Sequence, residues 1–312
     1  MNLPMKEAVL DTGAVAAIRG LMAGFTVETT PGAAAKIADY RVHLRPGTRV
    51  YVTFLPGSDF DKSIDVAARL RAEGFEPVPH IAARSIPSRA FLEQKLARLR
   101  DEAAIAEVLV IAGSVAHPLG PFADTMAVLK TGLLEAHGIR RIGVAGHPEG
   151  SPDIPAHAVL DAILWKNAYA ARSGAALYIV TQFCFQAEAV IEWAERLAAA
   201  GNRLPIRIGV PGPATLKTLL NHARACGVGP SMRFLSRQAR NLARLMTVSA
   251  PDGLIASLAA HRAAHPDRGI EGLHVYPFGG LGKTARWSYA VLDGHLAMRA
   301  DDSGFTVDVD PG

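Results

Sequence analysis

Eight short runs of apolar and β-branched residues recur along this 312-residue chain, and helical stretches separate them. These stretches carry apolar residues at helical spacing, as in IDVAARLRAEG at 64–74. Strands that alternate with helices predict βαβ units and a parallel sheet, and runs that are apolar throughout predict strands covered on both faces. Eight units predict an α/β fold of the (β/α)8 or TIM-barrel type; a doubly wound sheet has the same alternation but usually fewer regular units. The runs occupy 25–30, 49–55, 76–82, 107–113, 141–146, 177–183, 206–212 and 272–279.

The pattern shows no low-complexity linker and no composition shift that would mark a domain boundary. We therefore expect one barrel domain over residues 1–312. An extra helix is predicted at about 4–20, the barrel at about 24–292, and a short tail after it. The long segment 213–263 is expected to hold two or three helices.

The composition is that of an ordinary globular protein, with 49% hydrophobic and 20% charged residues. A net charge of +4 suits anionic small molecules and is too weak to indicate nucleic acid. Two cysteines, Cys184 and Cys226, without a CxxC motif favour a reducing compartment. No apolar run approaches the length of a membrane span, and the first residues lack the apolar segment of a signal peptide. The expected location is cytoplasmic, without membrane contact.

Polar residues recur where the predicted strands end. Active sites of parallel barrels are built at the carboxyl ends of the strands. Glu28, Thr53, His80, Gln182 and Tyr276 occupy such positions, and the polar loop HPEGSPD at 147–153 follows the fifth run. The sequence therefore predicts a site at this end of the barrel.

Glu28 is a carboxylate inside an otherwise apolar strand, which is costly to bury unless it is paired or protonated. It is either an ion-pair partner of an arginine or a general acid. We favour the general acid and expect the apolar mouth of the barrel to raise the pKa of Glu28.

The segment FGGLGKT at 278–284 suggests a phosphate-binding loop, but Pro277 stands where that motif requires glycine. What remains is a glycine-rich turn before a helix, which is either an anion site or a simple tight turn. Four arginines at helical spacing predict a basic stripe on one helix face. The stripe is either a solvated face or a surface that binds an anionic substrate tail. The four arginines are Arg233, Arg237, Arg240 and Arg244.

The 11 histidines show no metal-binding spacing, so no metal site is expected. His80, His147 and His274 fall at strand ends and are candidates for the site. The others expected on surface helices or loops include His43 and His222.

Seven segments share their residues, order and spacing with one enzyme family. They are VETTP, VTFLPG, PVPHIAAR, GVAGHPEGSPD, IVTQFCF, IGVPGPATLKTL and LHVYPF. Together they resemble the methylenetetrahydrofolate reductase family over about 20–292. The resemblance implies a barrel that binds FAD at its carboxyl-terminal face. Its flavin passes hydride to 5,10-methylenetetrahydrofolate and yields 5-methyltetrahydrofolate.

The resemblance also assigns roles to individual residues. Glu28 matches the general acid that opens the imidazolidine ring of the folate. Gln182, Phe183 and Tyr276 are assigned to the substrate, and Tyr276 also matches a position that lines the flavin. The residues assigned to FAD are Thr53, His80, Ala112, Gly113, Ser114, His147, Asp161 and Lys166.

The chain departs from the family at several of these cofactor positions. Ala112-Gly113-Ser114 stands where the family has Arg-Gly-Asp, which implies weaker FAD affinity and a higher flavin potential. His147 replaces an aromatic residue, and Lys166 substitutes for a lysine that contacts the cofactor phosphates. The electron donor stays open between NADH, NADPH and another reductant, and the resemblance implies a homo-oligomer. Two alternatives remain: a flavin-free folate-binding barrel of the methyltransferase type, and a nonenzymatic folate- or flavin-binding module.

Overall fold

The computed structural model describes residues 12–151, 154–225, 235, 245–301 and 303–308. Eight parallel strands close into a barrel, which confirms the predicted fold class. The order around the barrel follows the chain from β1 to β7, and β10 closes the ring between β7 and β1. The barrel strands are β1 (Thr26–Thr29), β2 (Arg49–Val52), β3 (Glu76–Ala82), β4 (Glu107–Ile111), β5 (Arg141–Gly146), β6 (Ala176–Phe183), β7 (Ile206–Pro211) and β10 (Ile270–Tyr276).

Helices and short strands surround this barrel. The described helices are α1 (Thr12–Met22), α2 (Pro31–Ala34), α3 (Phe60–Ala72), α4 (Arg89–Ala103), α5 (Thr125–Leu129), α6 (Leu133–Ala136), α7 (Ala156–Ser173), α8 (Ala187–Ala199), α9 (Leu216–Ala225), α10 (Asp252–Ala264) and α11 (Leu281–Asp293). Single 3-10 turns cover Tyr40–Val42, Ala83–Ser85 and Pro266–Arg268. Two antiparallel pairs lie outside the barrel: β8 (Ala214–Thr215) with β9 (Val248–Ser249), and β11 (Leu296–Met298) with β12 (Phe305–Val307). No helix in these ranges is long and apolar enough to cross a membrane.

The extra helix before the barrel is α1, which packs against α10 and α11. The residues before Thr12 lie outside the described part of the chain, as do the four arginines of the predicted basic stripe. After α11, the tail forms the β11–β12 hairpin, where Phe305 is fully buried and stacks on Trp287.

The barrel interior is filled by alternate residues of the strands, because successive side chains of a strand point to opposite faces. Tyr51, Val78, Leu109, Tyr178 and Val180 form one buried cluster there. The Tyr51 and Tyr178 hydroxyls are 2.6 Å apart. Residues two positions further along these strands face the carboxyl-terminal mouth of the barrel.

An ionic layer closes the opposite, amino-terminal end. Glu107 accepts hydrogen bonds of 3.0 Å from Arg49 and from Arg141. Glu271 lies 3.7 Å from Arg141 and 3.4 Å from Arg207. These residues come from β2, β4, β5, β7 and β10, so the layer connects strands on several sides of the barrel. The carboxylates and guanidinium groups of this layer pair with one another, which is typical of a layer that stabilises the fold.

Candidate functional site

Glu28 lies near the carboxyl end of β1, on the face of the strand that lines the barrel mouth. Its side chain is 15% exposed. The Thr53 hydroxyl, just beyond β2, donates a 3.0 Å hydrogen bond to Glu28 Oε2. His274 Nε2, on β10, lies 3.7 Å from the same oxygen. The carboxyl group is therefore held between the two strands that flank β1.

Opposing influences act on the pKa of Glu28. Burial raises it, whereas the His274 imidazole, the charge of His80 and the Thr53 hydrogen bond lower it. The net effect is a pKa below the ordinary value of 4.5. The predicted rise in the pKa of Glu28 is therefore wrong for this structure, because the mouth is lined by histidines and is not purely apolar.

His274 is held from both sides. Its side chain is 1% exposed, and its Nδ1 lies 2.7 Å from the Thr26 hydroxyl. Its ring contacts Tyr51 and Tyr276, with centroids 4.5 Å and 4.7 Å away. With Nδ1 bonded to Thr26, Nε2 is the ring nitrogen directed towards Glu28.

His80 occupies the mouth-facing position of β3 and is only 6% exposed. Neither of its ring nitrogens has a hydrogen-bond partner among the described residues. Burial lowers the pKa of His80 to about 4, so the ring is neutral at pH 7. A neutral imidazole offers one donor and one acceptor, and both are available to a ligand.

A cavity of about 620 Å³ opens beside Glu28, between the loops that follow β1 and β10. Lys36 gives its lining a cationic group, and the His43 imidazole lies in the same lining. His43 is half-buried in a surface turn and lies against Gly282, where an added Cβ would lie 3.1 Å from His43 Nδ1. The lining residues are Glu28, Thr29, Thr30, Gly32, Ala33, Lys36, Ile37, His43, Pro277, Gly280, Leu281 and Gly282.

The glycine-rich segment after β10 forms part of this cavity wall. Gly280 has a φ of 101° and precedes the first residue of α11. At Gly279 an added Cβ would lie 2.0 Å from the Pro213 carbonyl oxygen, so only glycine allows this close approach. The segment is a tight turn that lines the cavity.

An aromatic cluster adjoins the mouth on the β6 and β10 side. Phe183 is buried and contacts Tyr276, whose hydroxyl donates a 3.0 Å hydrogen bond to the Thr181 carbonyl. Phe278 stacks on Tyr276 and on His222, with centroid distances of 5.5 Å and 4.0 Å. His222 is half-buried on α9, and this ring contact joins it to the aromatic cluster. The structure brings Phe183 and Tyr276 together, but Phe183 lies inside the cluster.

Gln182 is half-buried at the carboxyl end of β6. It follows Tyr178 and Val180 at intervals of two residues, and both of those side chains lie in the barrel interior. The β6–β7 register shifts between Val180 and Phe183. The alternation nevertheless directs Gln182 towards the mouth.

The segment after β4 carries no charged side chain at the three positions assigned to FAD. The Ala112 carbonyl accepts a 2.9 Å hydrogen bond from the Arg84 amide, which ties this segment to the 3-10 turn after β3. Gly113 has a φ of 87°, and Ser114 is exposed. The segment 112–114 therefore lies beside the barrel mouth and offers only neutral groups to a ligand there.

Lys166 on α7 and His147 after β5 lie near one another. Lys166 is 6% exposed, and burial lowers its pKa to about 8 although the charge of Asp124 acts in the opposite direction. Burial and the charge of Lys166 together lower the pKa of His147 to about 4. Asp161 lies five residues earlier on α7, about 140° around the helix, and is exposed. The structure thus groups Lys166 with His147 and places Asp161 on a different side of α7 from Lys166.

Comparisons with known proteins give a fold and no family. No family model matches the sequence. A Clostridium thermocellum protein, described as binding two copies of 5-methyl-5,6,7,8-tetrahydrofolic acid, has a similar structure with a TM-score of 0.51 and 12% identity, over 81% of this chain and 88% of that one. A class V chitinase from Pseudomonas fluorescens Pf-5 has a TM-score of 0.47 and 12% identity, over 86% of this chain and 98% of the chitinase. The similarity to the Clostridium thermocellum protein shows that the two chains share the barrel fold.

Proposed function

We propose that this chain is an FAD-dependent oxidoreductase that interconverts 5,10-methylenetetrahydrofolate and 5-methyltetrahydrofolate. The observation that carries this proposal is the position of Glu28. Its carboxyl group lies at the barrel mouth, is held by Thr53 and His274, and opens onto a cavity. A titratable group in such a place is suited to exchange a proton with a bound substrate.

Several features support a folate as the substrate. The cavity volume of about 620 Å³ is within the range of small-molecule sites. Lys36 would suit the negative charge of the glutamate tail, and Gln182 offers an amide to the pterin. The Clostridium thermocellum barrel, which binds 5-methyltetrahydrofolate, supports the same substrate class.

The residues on the β3 to β5 side fit a large anionic cofactor. His80 has two buried nitrogens without partners, and Lys166 is a buried cation whose charge is poorly compensated. Such groups are stabilised when a ligand supplies hydrogen bonds and negative charge. His80 would hold the ring system of FAD, and Lys166 with His147 would lie near its phosphates. When bound, FAD supplies the hydride exchanged with the folate carbon.

The task of the chain's own residues is to control one proton. Conversion of 5,10-methylenetetrahydrofolate to the 5-methyl form breaks the bond between the bridging carbon and N10. N10 gains a proton, and the carbon gains a hydride. Glu28 is the group placed to give N10 that proton, and in the reverse direction to take it back. The barrel around it limits water access to the reacting atoms.

Flavin bleaching tests this function directly. Purified protein is loaded with FAD, made anaerobic and mixed with 5-methyltetrahydrofolate. Loss of the oxidised-flavin absorbance is expected, because the reverse reaction moves hydride to the flavin. Glu28→Gln should slow bleaching by about 100-fold or more, since general acid–base catalysis contributes about 10²–10⁴-fold. Glu188→Gln, an exposed carboxylate on α8, is the matched control and should bleach at the wild-type rate.

A flavin-free folate barrel is the second candidate, favoured by the uncharged residues Ala112 and Ser114 beside the expected flavin position. Protein that stays colourless with added FAD but binds 5-methyltetrahydrofolate by calorimetry would support it. Bleaching at an unchanged rate in Glu28→Gln would remove Glu28 from the chemistry. Protein that binds neither ligand would contradict both functions.

A further inference from the structure

One arginine holds the loop that follows β4. Arg84 lies in the 3-10 turn after β3, and its guanidinium group donates to two carbonyls of that loop. Its Nε donates to the Ala123 carbonyl at 2.9 Å, and its Nη1 donates to the Val115 carbonyl at 3.4 Å. Val115 lies in the first part of the segment 112–123 and Ala123 ends it, so a single side chain spans the loop.

The backbone of Arg84 bonds to the same loop. Its amide donates to the Ala112 carbonyl at 2.9 Å, and its carbonyl accepts a 2.8 Å hydrogen bond from the Leu119 amide. The far half of the loop is also held by packing, because Phe122 is buried and an added Cβ at Gly120 would lie 2.3 Å from the Pro87 carbonyl oxygen. The first half depends on the hydrogen bonds from Arg84.

This arrangement leaves two amides of the loop without an acceptor. Neither Gly113 nor Ser114 donates an amide hydrogen bond within the described residues. Gly113 has a φ of 87°, which glycine adopts without strain, and it turns the chain out of β4 at the barrel mouth. Successive backbone N–H groups around such a turn bind negatively charged atoms. The two amides are therefore donors available to a ligand at the mouth.

We infer that Arg84 is a positioning residue for the cofactor, which fixes the loop after β4 so that the amides of Gly113 and Ser114 contact the flavin. This inference rests on the proposed function for the identity of the ligand, and on the structure alone for the attachment of the loop to Arg84. The side chains of the segment 112–114 are uncharged, so its backbone donors supply the polar contact. Donors fixed in this way favour the reduced flavin, because it carries more negative charge.

Amide hydrogen exchange of the protein without FAD tests the attachment of the loop. Wild type, Arg84→Lys and Arg84→Met are compared in peptides that cover 115–123. Exchange should be about 3–10-fold faster in both variants, because a lysine ammonium cannot reproduce the two-carbonyl contact of the guanidinium fork. Arg172→Lys, an exposed arginine on α7, is the matched control and should exchange as wild type. Equal exchange in wild type and both Arg84 variants would overturn the inference.

The flavin potential tests the consequence for the cofactor, without folate or turnover. Each protein is loaded with FAD, and its potential is measured against reference dyes. In both Arg84 variants the affinity for reduced flavin should fall about tenfold more than the affinity for oxidised flavin. That change lowers the potential by about 30 mV for a two-electron couple. Arg172→Lys should leave the potential at the wild-type value.

Two comparisons separate the position of the loop from the charge of Arg84. Arg84→Lys keeps the positive charge, so a lower potential in this variant reports the loop. A lower potential in Arg84→Met alone would mean that the charge acts on the flavin, and it would overturn the inference. Gly120→Ala displaces the loop from the Pro87 carbonyl and leaves Arg84 in place, so it should lower the potential in the same direction. This variant keeps the test valid if the Arg84 variants fail to fold.

Failure of this inference differs from failure of the proposed function. Wild-type protein that bleaches with 5-methyltetrahydrofolate, together with equal potentials in wild type and variants, would overturn the inference and leave the function standing. Faster exchange and a lower potential in the variants, with wild-type protein that does not bleach, would contradict the function and support the role of Arg84. Wild-type protein that binds no FAD would contradict both.

Discussion

At the scale of single residues, the side chains around the mouth differ in how far their charge is compensated. Glu28 has Thr53 and His274 beside it, so its ionised form is stable although it is largely buried. Lys166 has no ion pair within the described residues, and its burial lowers its pKa to about 8 from 10.5. A buried cation of this kind lowers the stability of the ligand-free protein.

Replacing Lys166 with methionine should therefore stabilise the ligand-free fold at pH 7. The native state loses the Lys166 proton near pH 8 and the unfolded state near pH 10.5, so the unfolded state binds more protons between these values. Stability of the wild type then rises with pH across this window. The pKa difference corresponds to about 3 kcal/mol. We expect Lys166→Met to gain about 1–3 kcal/mol at pH 7, with the gain vanishing above pH 10.5.

Urea unfolding of wild type and variant at pH 7 and at pH 10.5 measures this difference. Lys62→Met, on the exposed face of α3, is the matched control and should change stability by less than about 0.5 kcal/mol at either pH. A Lys166→Met protein less stable than wild type at pH 7 would show that the ammonium group has a partner that stabilises it.

At the scale of elements, the sequence pattern predicts every barrel strand, and the differences lie at the ends. The fourth run extends to 113, but β4 ends at Ile111 because Gly113 has a φ of 87°, outside the β region. The last run extends to 279, but β10 ends at Tyr276 because Pro277 has no N–H for the ladder. Apolar character continues past each end, so it cannot mark where the backbone leaves the sheet.

The ionic layer at the amino-terminal end gives a prediction about these strands. The Glu107 side chain is 13% exposed and bonds Arg49 and Arg141. Glu107→Gln removes the negative charge and leaves two partly buried guanidinium groups less well paired. We expect a loss of about 1–3 kcal/mol in the free energy of unfolding, less than for a fully buried pair because both arginines are partly exposed.

Chemical denaturation checks this loss, and Glu102→Gln is the comparison. Glu102 pairs with Arg98 on the exposed face of α4, so its substitution should cost less than about 0.5 kcal/mol. Equal effects of the two substitutions would mean that the layer contributes no more than a surface ion pair.

At the scale of the whole molecule, closure of the barrel creates the contacts that the sequence could not reveal. Thr26 and His274 are 248 residues apart in the chain, and they meet because β1 pairs with β10. The sequence places Glu28 and His274 at strand ends, but the sign of the change in the pKa of Glu28 depends on this closing register. The cavity formed with Lys36 and His43 depends on it as well, since one wall follows β1 and the other follows β10.

The same closure separates the mouth into two sides, which the proposed function assigns to different ligands. Lys36 lies on the side of β1 and β10, whereas Lys166 lies on α7 after β5. Each ligand should raise the free energy of unfolding by about 2.7 kcal/mol at 100 times its Kd. Lys36→Ala should reduce the rise in the free energy of unfolding that 5-methyltetrahydrofolate gives, and should leave the rise that FAD gives unchanged. Lys166→Met should reduce the rise that FAD gives and leave the rise that 5-methyltetrahydrofolate gives unchanged.

Thermal unfolding at fixed ligand concentration distinguishes these outcomes, with Lys62→Ala as a control that should alter neither rise. The separation matters because a ligand stabilises the folded state according to its affinity, and removal of a group that contacts the ligand lowers that affinity. If Lys36→Ala and Lys166→Met reduce both rises equally, the two ligands share one site and the division of the mouth is wrong. If Lys166→Met increases the rise given by FAD, the buried ammonium opposes the cofactor, and its phosphates lie elsewhere on the barrel face.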